Sequence, residues 1–359
     1  MMKLQVSNSP HVRDDITTSS IMRDVVIALM PATVFSGYMF GLRAILMVLV
    51  SVLSCLVFEY VSRKIMKRNN TLYDMSALVT GILLALNMPA NLPFYMLILA
   101  AFFAIVVVKQ FFGGLGNNFV NPAIAARIFL VISFPKYMST WTVRSGTFNF
   151  FDSLKGADLV SSATPLAGMA DLVSSATPAM DVSSLVIGHK DDLPSLLSMF
   201  LGERAGSIGE VSILALLIGA AYLFARKVIT PAIPVAYLGS FTLLVLLFGH
   251  SPIYDVLSSD TFSWSLLANA FYEPAYMLCS GGIVLGAFFM ATDYVTSPLT
   301  NKGRVIFGIG CGLLTFLMRY YSNMPGGVSF AIILMNILTP HIDRVTMKKP
   351  FGGLAHERR

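Results

Sequence analysis

Residues 157–169 read Ala-Asp-Leu-Val-Ser-Ser-Ala-Thr-Pro-Leu-Ala-Gly-Met, and residues 170–178 repeat the first nine of them with no gap. Each copy runs from an acidic residue through small and hydroxyl residues to a threonine set before a proline: Thr164-Pro165 in the first, Thr177-Pro178 in the second. Such a segment makes a poor core. Its chemistry is that of a hydroxyl acceptor, an exposed threonine on a small-residue stretch that can enter the active site of a modifying enzyme. The following proline keeps the strand from folding into a helix. Runs of Ser, Ala and Thr are also common loop composition, so the surroundings must decide.

A second set of residues is polar in apolar surroundings. Arg127 lies shortly after Pro122 inside an apolar run, and a cation at bilayer depth is a functional candidate by default; an arginine near the interface, capped by carbonyls, is the plain alternative. The amides of Asn87, Asn117, Asn118 and Asn121 can hydrogen-bond the edge of a heteroaromatic ring or satisfy backbone freed by a helix break. Both readings stay open. Thr292 and Asp293 end another apolar run beside Lys302 and Arg304, where a solvated helix end accounts for them equally well, and Glu273-Pro274 opens that run at the side of the cassette. Cys55, Cys279 and Cys311 lack the close spacing of zinc or iron–sulfur ligands and read as small buried apolar residues. The histidines at 11, 189, 250, 341 and 356 are equally dispersed, so no metal site is expected. The 26 phenylalanines are core and lipid-facing mass.

These residues must be positioned by membrane helices. The chain is 55% hydrophobic and only 12% charged, with mean hydropathy +0.72, whereas a soluble domain carries about 25% charge. Apolar runs near the ~20 residues that cross a bilayer occur at 25–42, 44–62, 75–93, 94–112, 120–134, 211–229, 231–249, 265–291, 303–320 and 326–343. An all-α polytopic membrane protein of ten transmembrane helices is expected. Positive residues gather in cytoplasmic loops. With the N-terminus inside, seventeen of the 25 lysines and arginines fall on inner segments and seven on outer ones, with Arg127 inside a span. Both termini are therefore expected in the cytoplasm, with the cassette outside. The net charge of +6 is that same bias and calls for no nucleic acid. The polar opening, Gln5 to Thr18, has no short apolar region of a cleavable signal peptide.

The expected organisation is a cytoplasmic segment 1–24, five helices in 25–134, an outer loop 135–209 with the cassette, five helices in 210–343 and a cytoplasmic tail 344–359. Two groups of five invite a search for a repeat. Thr80-Gly81-Ile82-Leu83-Leu84-Ala85-Leu86-Asn87-Met88-Pro89 can be laid on Leu285-Gly286-Ala287-Phe288-Phe289-Met290-Ala291-Thr292-Asp293, each a glycine-bearing helix that stops at a polar residue and then meets proline. The expectation is a five-plus-five repeat with broken third and eighth helices. Broken helices leave backbone groups unpaired at membrane depth, tolerated only where protein or a water-filled cavity satisfies them.

Asp158 to Leu166 resembles the flavinylation motif of a family of membrane redox subunits, with an acidic residue, hydroxyl residues, Ala and then the acceptor Thr. Ser9-Pro10-His11-Val12, Gly113 to Pro122, Phe289 to Asp293, Gly326 to Ala331 and Leu334-Met335-Asn336 carry the same likeness. Together they look like the D subunits of the Rnf complex and, more distantly, the B subunits of the sodium-pumping NADH:quinone oxidoreductase. The resemblance covers nearly the whole chain. It implies a subunit of an ion-translocating oxidoreductase, not catalytic alone, in the bacterial inner membrane. It also implies FMN esterified through its phosphate to Thr164, which keeps the following Pro-Leu-Ala, with Thr177 as alternative acceptor. A second, noncovalent flavin of riboflavin or FMN type is expected near Asn87, Asn117, Asn121, Arg127, Thr292 and Asp293. The implied partners are the covalent-FMN G subunit, the iron–sulfur A and E membrane subunits, the NAD-reducing C subunit, a flavin transferase, and Na+ or H+. Electrons would pass between reduced ferredoxin and NAD. The quinone-reducing B subunit is the nearer alternative, disfavoured because Ser-Pro-His begins at residue 9 without a long extension. A non-redox solute channel of urea-channel architecture is the farther one, and it leaves the cassette idle.

Overall fold

A computed structural model describes residues 17–144, 159–161, 164–166, 194–202, 204–210, 212–249, 264–322 and 327–347. The first group of helices comprises α1 (Thr18–Phe40), α2 (Leu42–Ile65), α3 (Ser76–Leu86), α4 (Phe94–Phe102) and α5 (Pro122–Ser133). α4 continues as a π-helical stretch, Phe103–Gln110. A short helix α6 (Pro135–Met138) follows, then a two-stranded antiparallel ribbon, β1 (Thr142–Arg144) with β2 (Leu159–Ser161), in which Thr142 pairs with Ser161. The second group is preceded by α7 (Leu196–Leu201) and comprises α8 (Ile213–Ala225), α9 (Ala232–Phe248), α10 (Trp264–Cys279), α11 (Ile283–Leu285), α12 (Asn301–Tyr321) and α13 (Val328–Thr346). A second π-helical stretch, Gly286–Met290, extends α11. The ribbon and an isolated antiparallel bridge between Pro89 and Ser207 are the β-structure in an otherwise helical chain among the described residues.

Four helices, α1, α2, α12 and α13, are long and apolar enough to cross a bilayer, and α10 with α11 makes a fifth that bends by 72° at its break. Five further apolar helices are shorter. At 1.5 Å per residue α3 spans about 16 Å, half the ~30 Å of hydrocarbon. The run expected at 75–93 is therefore a half-helix followed by a turn. Its helix stops at Leu86 because Pro89 and Pro93 follow closely and because the polar side chain of Asn87 takes the C-cap, donating to Leu83 O at 2.7 Å. In the other group the helical stretch ends at Met290, at the stop expected before Thr292–Asp293, and a further break falls at Ser280–Gly282; Gly281 has φ +64° there, a backbone that favours glycine.

α1 starts at Thr18, ahead of the expected boundary at 24, because the Thr17 hydroxyl caps it, accepting from Ser20 N–H at 3.2 Å. Its polar first turns are held by Asp24, buried, which pairs with Arg226 at 3.2 Å and accepts from the Tyr222 hydroxyl. At the other end α13 runs to Thr346, past the expected boundary at 343.

The two groups share one hydrophobic core. α1 packs on α8, α13 on α5, and α9 lies along α12. The last contact is close because α12 presents glycine: a Cβ at Gly312 would overlap the Ser240 hydroxyl, and one at Gly308 would lie 2.7 Å from Ala236 Cβ. Small residues of this spacing let membrane helices approach, and the Tyr237 hydroxyl reaches Thr315 Oγ1 at 2.6 Å across the seam.

Candidate functional site: a cavity between two half-helices

α3 joins two buried polar clusters. At its N-terminal end Lys109, on the π-helical stretch and 2% exposed, donates to Glu59 Oε2 at 2.8 Å and to Ser76 Oγ at 2.7 Å. Glu59, fully buried on α2, accepts further from Gln110 Nε2 at 3.1 Å and Thr71 Oγ1 at 3.2 Å. Charged groups survive burial when they are paired and hydrogen-bonded in this way. A π-bulge shifts the register of the residues after it and recurs at functional sites; here it lies in the stretch that ends with Lys109 and Gln110. Positive residues at the end of an apolar run read as a loop, so sequence reasoning set Lys109 in solvent.

At the other end Arg127 Nη1 donates to Asn87 Oδ1 at 2.8 Å and to Glu210 Oε1 at 2.9 Å. Glu210 closes a short segment, Arg204–Glu210, that wedges between the two helix breaks. Gly209 N–H donates to Leu86 O at 2.7 Å and Ile208 N–H to Met88 O at 3.0 Å, satisfying carbonyls freed where α3 ends. Across the gap, the Arg204 guanidinium donates to Cys279 O and to Gly281 O, while Arg319 donates to Met277 O at 2.6 Å and Ser280 O at 3.1 Å. Two arginines thus meet the freed carbonyls at the C-terminus of α10, where positive charge is favoured. The Glu210 carboxylate abuts Gly282 at the N-terminus of α11, where negative charge is favoured.

Between the clusters lies a cavity enclosing about 770 Å³ of empty space, part of it open to the surroundings. Its apolar walls are Val79 and Leu83 of α3 and Phe288 and Phe289 of the second π-helical stretch. Its polar wall carries Asn118, Asn121, Thr80 and Thr292, with Asp293 and Lys109 as charged groups. Asn121 caps α5, its Oδ1 accepting from Ala123 N–H at 3.0 Å, and its Nδ2 reaches Met290 O at 3.5 Å. Asn118 Nδ2 donates to Val120 O at 3.1 Å. The Thr292 hydroxyl donates to Phe288 O at 2.7 Å, and Asp293 accepts from Val295 N–H and Thr296 Oγ1. The cavity therefore offers flat apolar faces and a hydrogen-bonding edge.

Of the six residues expected together, the structure brings Asn121, Thr292 and Asp293 to this cavity. Asn87 and Arg127 sit at the wedge instead, beyond the Asn87 contact to Met290 Sδ at 3.7 Å. Asn117 is exposed and braces the turn at Gly113, which has φ +119°; its neighbour Asn118 is the amide that faces inward. Glu273 is buried on α10 and accepts from the Tyr320 hydroxyl at 2.7 Å. Sequence reasoning missed Glu59, Glu210 and Arg204. Glu59 had a signal, a carboxylate inside an apolar run, obscured by the basic residues just after it.

Thr164 is half-buried, with Pro165 and Leu166 buried in helical conformation and Leu166 in the main core. The proline here begins a helical turn, as its fixed φ allows. The acceptor expected on an exposed strand is docked. Asp158 and Thr177 lie outside the described residues.

Fold and site define a helical membrane protein with a polar cavity enclosed between two groups of helices whose breaks are closed by a wedge from the connecting loop. The chain belongs to the NQR2, RnfD, RnfE family, whose model matches residues 5–352. It is 41% identical to the D subunit of the Na(+)-translocating ferredoxin:NAD(+) oxidoreductase complex of Acetobacterium woodii, over 98% of this chain and 96% of that protein. It is 38% identical to the D subunit of the proton-translocating ferredoxin:NAD(+) oxidoreductase complex of Clostridium ljungdahlii, over 97% and 96%. With the D subunit of the ion-translocating oxidoreductase complex of Stutzerimonas stutzeri it shares 35% identity over 92% and 91%.

Proposed function

We propose that this chain is the flavin-carrying membrane subunit of a redox-driven Na+ or H+ pump that passes electrons between reduced ferredoxin and NAD. The observation that carries the reading is its end-to-end likeness to subunits named for that reaction. Relatives at 41% and 38% identity are named for different ions, so overall likeness does not select the ion. The ten apolar segments, four long, five short and one bent pair, fit a five-plus-five repeat of urea-channel type. Packing of the second helix of each group on the fourth, α2 on α4 and α9 on α12, supports it. The charge distribution supports cytoplasmic termini in the bacterial inner membrane, with the cassette outside.

In this reading Thr164, or Thr177, carries FMN as a phosphoester, and the cavity holds a second, noncovalent flavin of riboflavin or FMN type. A flavin bound there would supply one- and two-electron transfer. The residues fit such a group: Phe288 and Phe289 present apolar faces that exclude water, and the amides of Asn118 and Asn121 with the Thr80 and Thr292 hydroxyls offer a polar edge. One flavin on the outer face could not by itself bridge ~30 Å of hydrocarbon, which is why two are needed. The partners in this reading are the covalent-FMN G subunit, the iron–sulfur A and E subunits, the NAD-reducing C subunit and the flavin transferase.

Acid precipitation of the purified chain tests this directly. The expected result is flavin fluorescence retained by the 39.0 kDa chain on a denaturing gel, together with free flavin in the supernatant. A chain devoid of flavin in both fractions would return the solute-channel reading.

A further inference from the structure

The buried Glu59–Lys109 pair meets the cavity edge-on, and its geometry gives it a direction. An ammonium has three donors; two of those on Lys109 go to Glu59 Oε2 and Ser76 Oγ. Lys109 and Ser76 both line the cavity, whereas Glu59 does not. From inside the cavity the pair presents its positive end, with the carboxylate behind it and the third N–H without a protein partner among the described residues. Ser76 and the neighbours of Glu59 fix the ammonium in place: Gln110 Nε2 and Thr71 Oγ1 hold the other carboxylate oxygen, and Asp74 Oδ1 accepts from the Ser76 hydroxyl at 2.5 Å. The other charged group on the cavity wall, Asp293, has its oxygens engaged by Val295 and Thr296.

We infer that Lys109 is a potential-setting residue for the redox group in this cavity, with Glu59 as the counter-charge that limits its effect. The inference rests on the proposed noncovalent flavin. Reduction of a flavin held here, where electrons outnumbered the protons taken up, would place negative charge beside Lys109. A fixed cation at the wall of a low-dielectric cavity stabilises that charge far more than it would in water, and so eases reduction. Removing the cation makes the bound flavin harder to reduce. Neutralising Glu59 strips the cation of its screen and makes the flavin easier to reduce. A merely structural pair would give no such opposition of sign, since breaking it from either side would perturb the cavity alike.

The test uses the full-length chain in detergent, produced without the flavin transferase so that noncovalent flavin alone is observed. Flavin content is counted after acid precipitation, and the midpoint potential is read by spectroelectrochemical titration. Lys109→Gln is expected to shift the potential negative, Glu59→Gln to shift it positive, and Lys109→Arg to leave it near the unsubstituted value. Should Lys109→Gln fail to yield folded protein, Glu59→Gln decides the matter alone: a positive shift supports the assignment, and no shift or a negative one overturns it. Shifts of the same sign in both neutral variants, or none in either, overturn it with the flavin site intact. An unsubstituted chain that releases no flavin overturns the cofactor reading and this inference together.

Discussion

A buried carboxylate that loses its cation is left with charge that nothing solvates. Glu210 loses its hydrogen-bonded cation when Arg127 goes and keeps only the more distant charges of Arg204 and Arg319, so Arg127→Gln is expected to destabilise the chain by about 3 kcal/mol, read as a fall in its unfolding midpoint in detergent. Adding Glu210→Gln should recover much of the loss, because two neutral amides can share the hydrogen bond that remains. At the cassette, Thr164→Ala is expected to abolish most covalent flavin and Thr177→Ala to leave it, measured by peptide mass mapping; the reverse pattern would move attachment to the second copy. Arg127 was legible in the sequence as a cation in an apolar run. Its partner was not, because Glu210 comes from the far end of a long polar loop, and no local pattern brings residues 127 and 210 together.

The wedge is the element on which both helix breaks depend. Gly209 sits so close to the end of α3 that an added Cβ would stand 2.6 Å from Leu86 Cβ and 3.0 Å from Leu86 O. Gly209→Val should therefore push the segment out, at the 1–3 kcal/mol or so typical of overpacking, and open Arg204–Glu210 to limited proteolysis. Gly239→Ala on α9 is the matched control, since nothing lies within 4 Å of the site, and it should leave stability unchanged or slightly raised. Apolar runs bounded by proline and glycine gave the helices and the existence of breaks in the sequence. They gave the stop before Thr292 but not the additional break at Ser280-Gly281-Gly282, which lies inside an apolar run and becomes a stop only through the positive φ of Gly281, with Arg204 and Arg319 on the freed carbonyls.

For the molecule as a whole, the charge asymmetry carries a topology that can be read from outside the cell. In a background lacking the three native cysteines, a cysteine at Ser184 is expected to react with a membrane-impermeant thiol reagent added to intact cells. One at Asn70, exposed in the turn between α2 and α3, should react only after the cells are opened. Labelling of Asn70 in intact cells would invert the assignment of sides. Hydropathy made the membrane class legible at once, because lipid demands apolar length. The cavity was not legible, since Lys109, Asn118 and Thr292 become neighbours only when the two groups of helices close on each other.

The ribbon described above sets a short leash. Ser161 is pinned to Thr142, Leu166 is sunk in the core, and three peptide units separate Ser161 from Thr164. At no more than about 3.5 Å each, they allow a group esterified to Thr164 an excursion of about 10 Å from its anchor. If Thr164 carries the proposed FMN, it would be a fixed station rather than a swinging arm. Exchange with a neighbouring redox centre would then have to be arranged by bringing that centre to it.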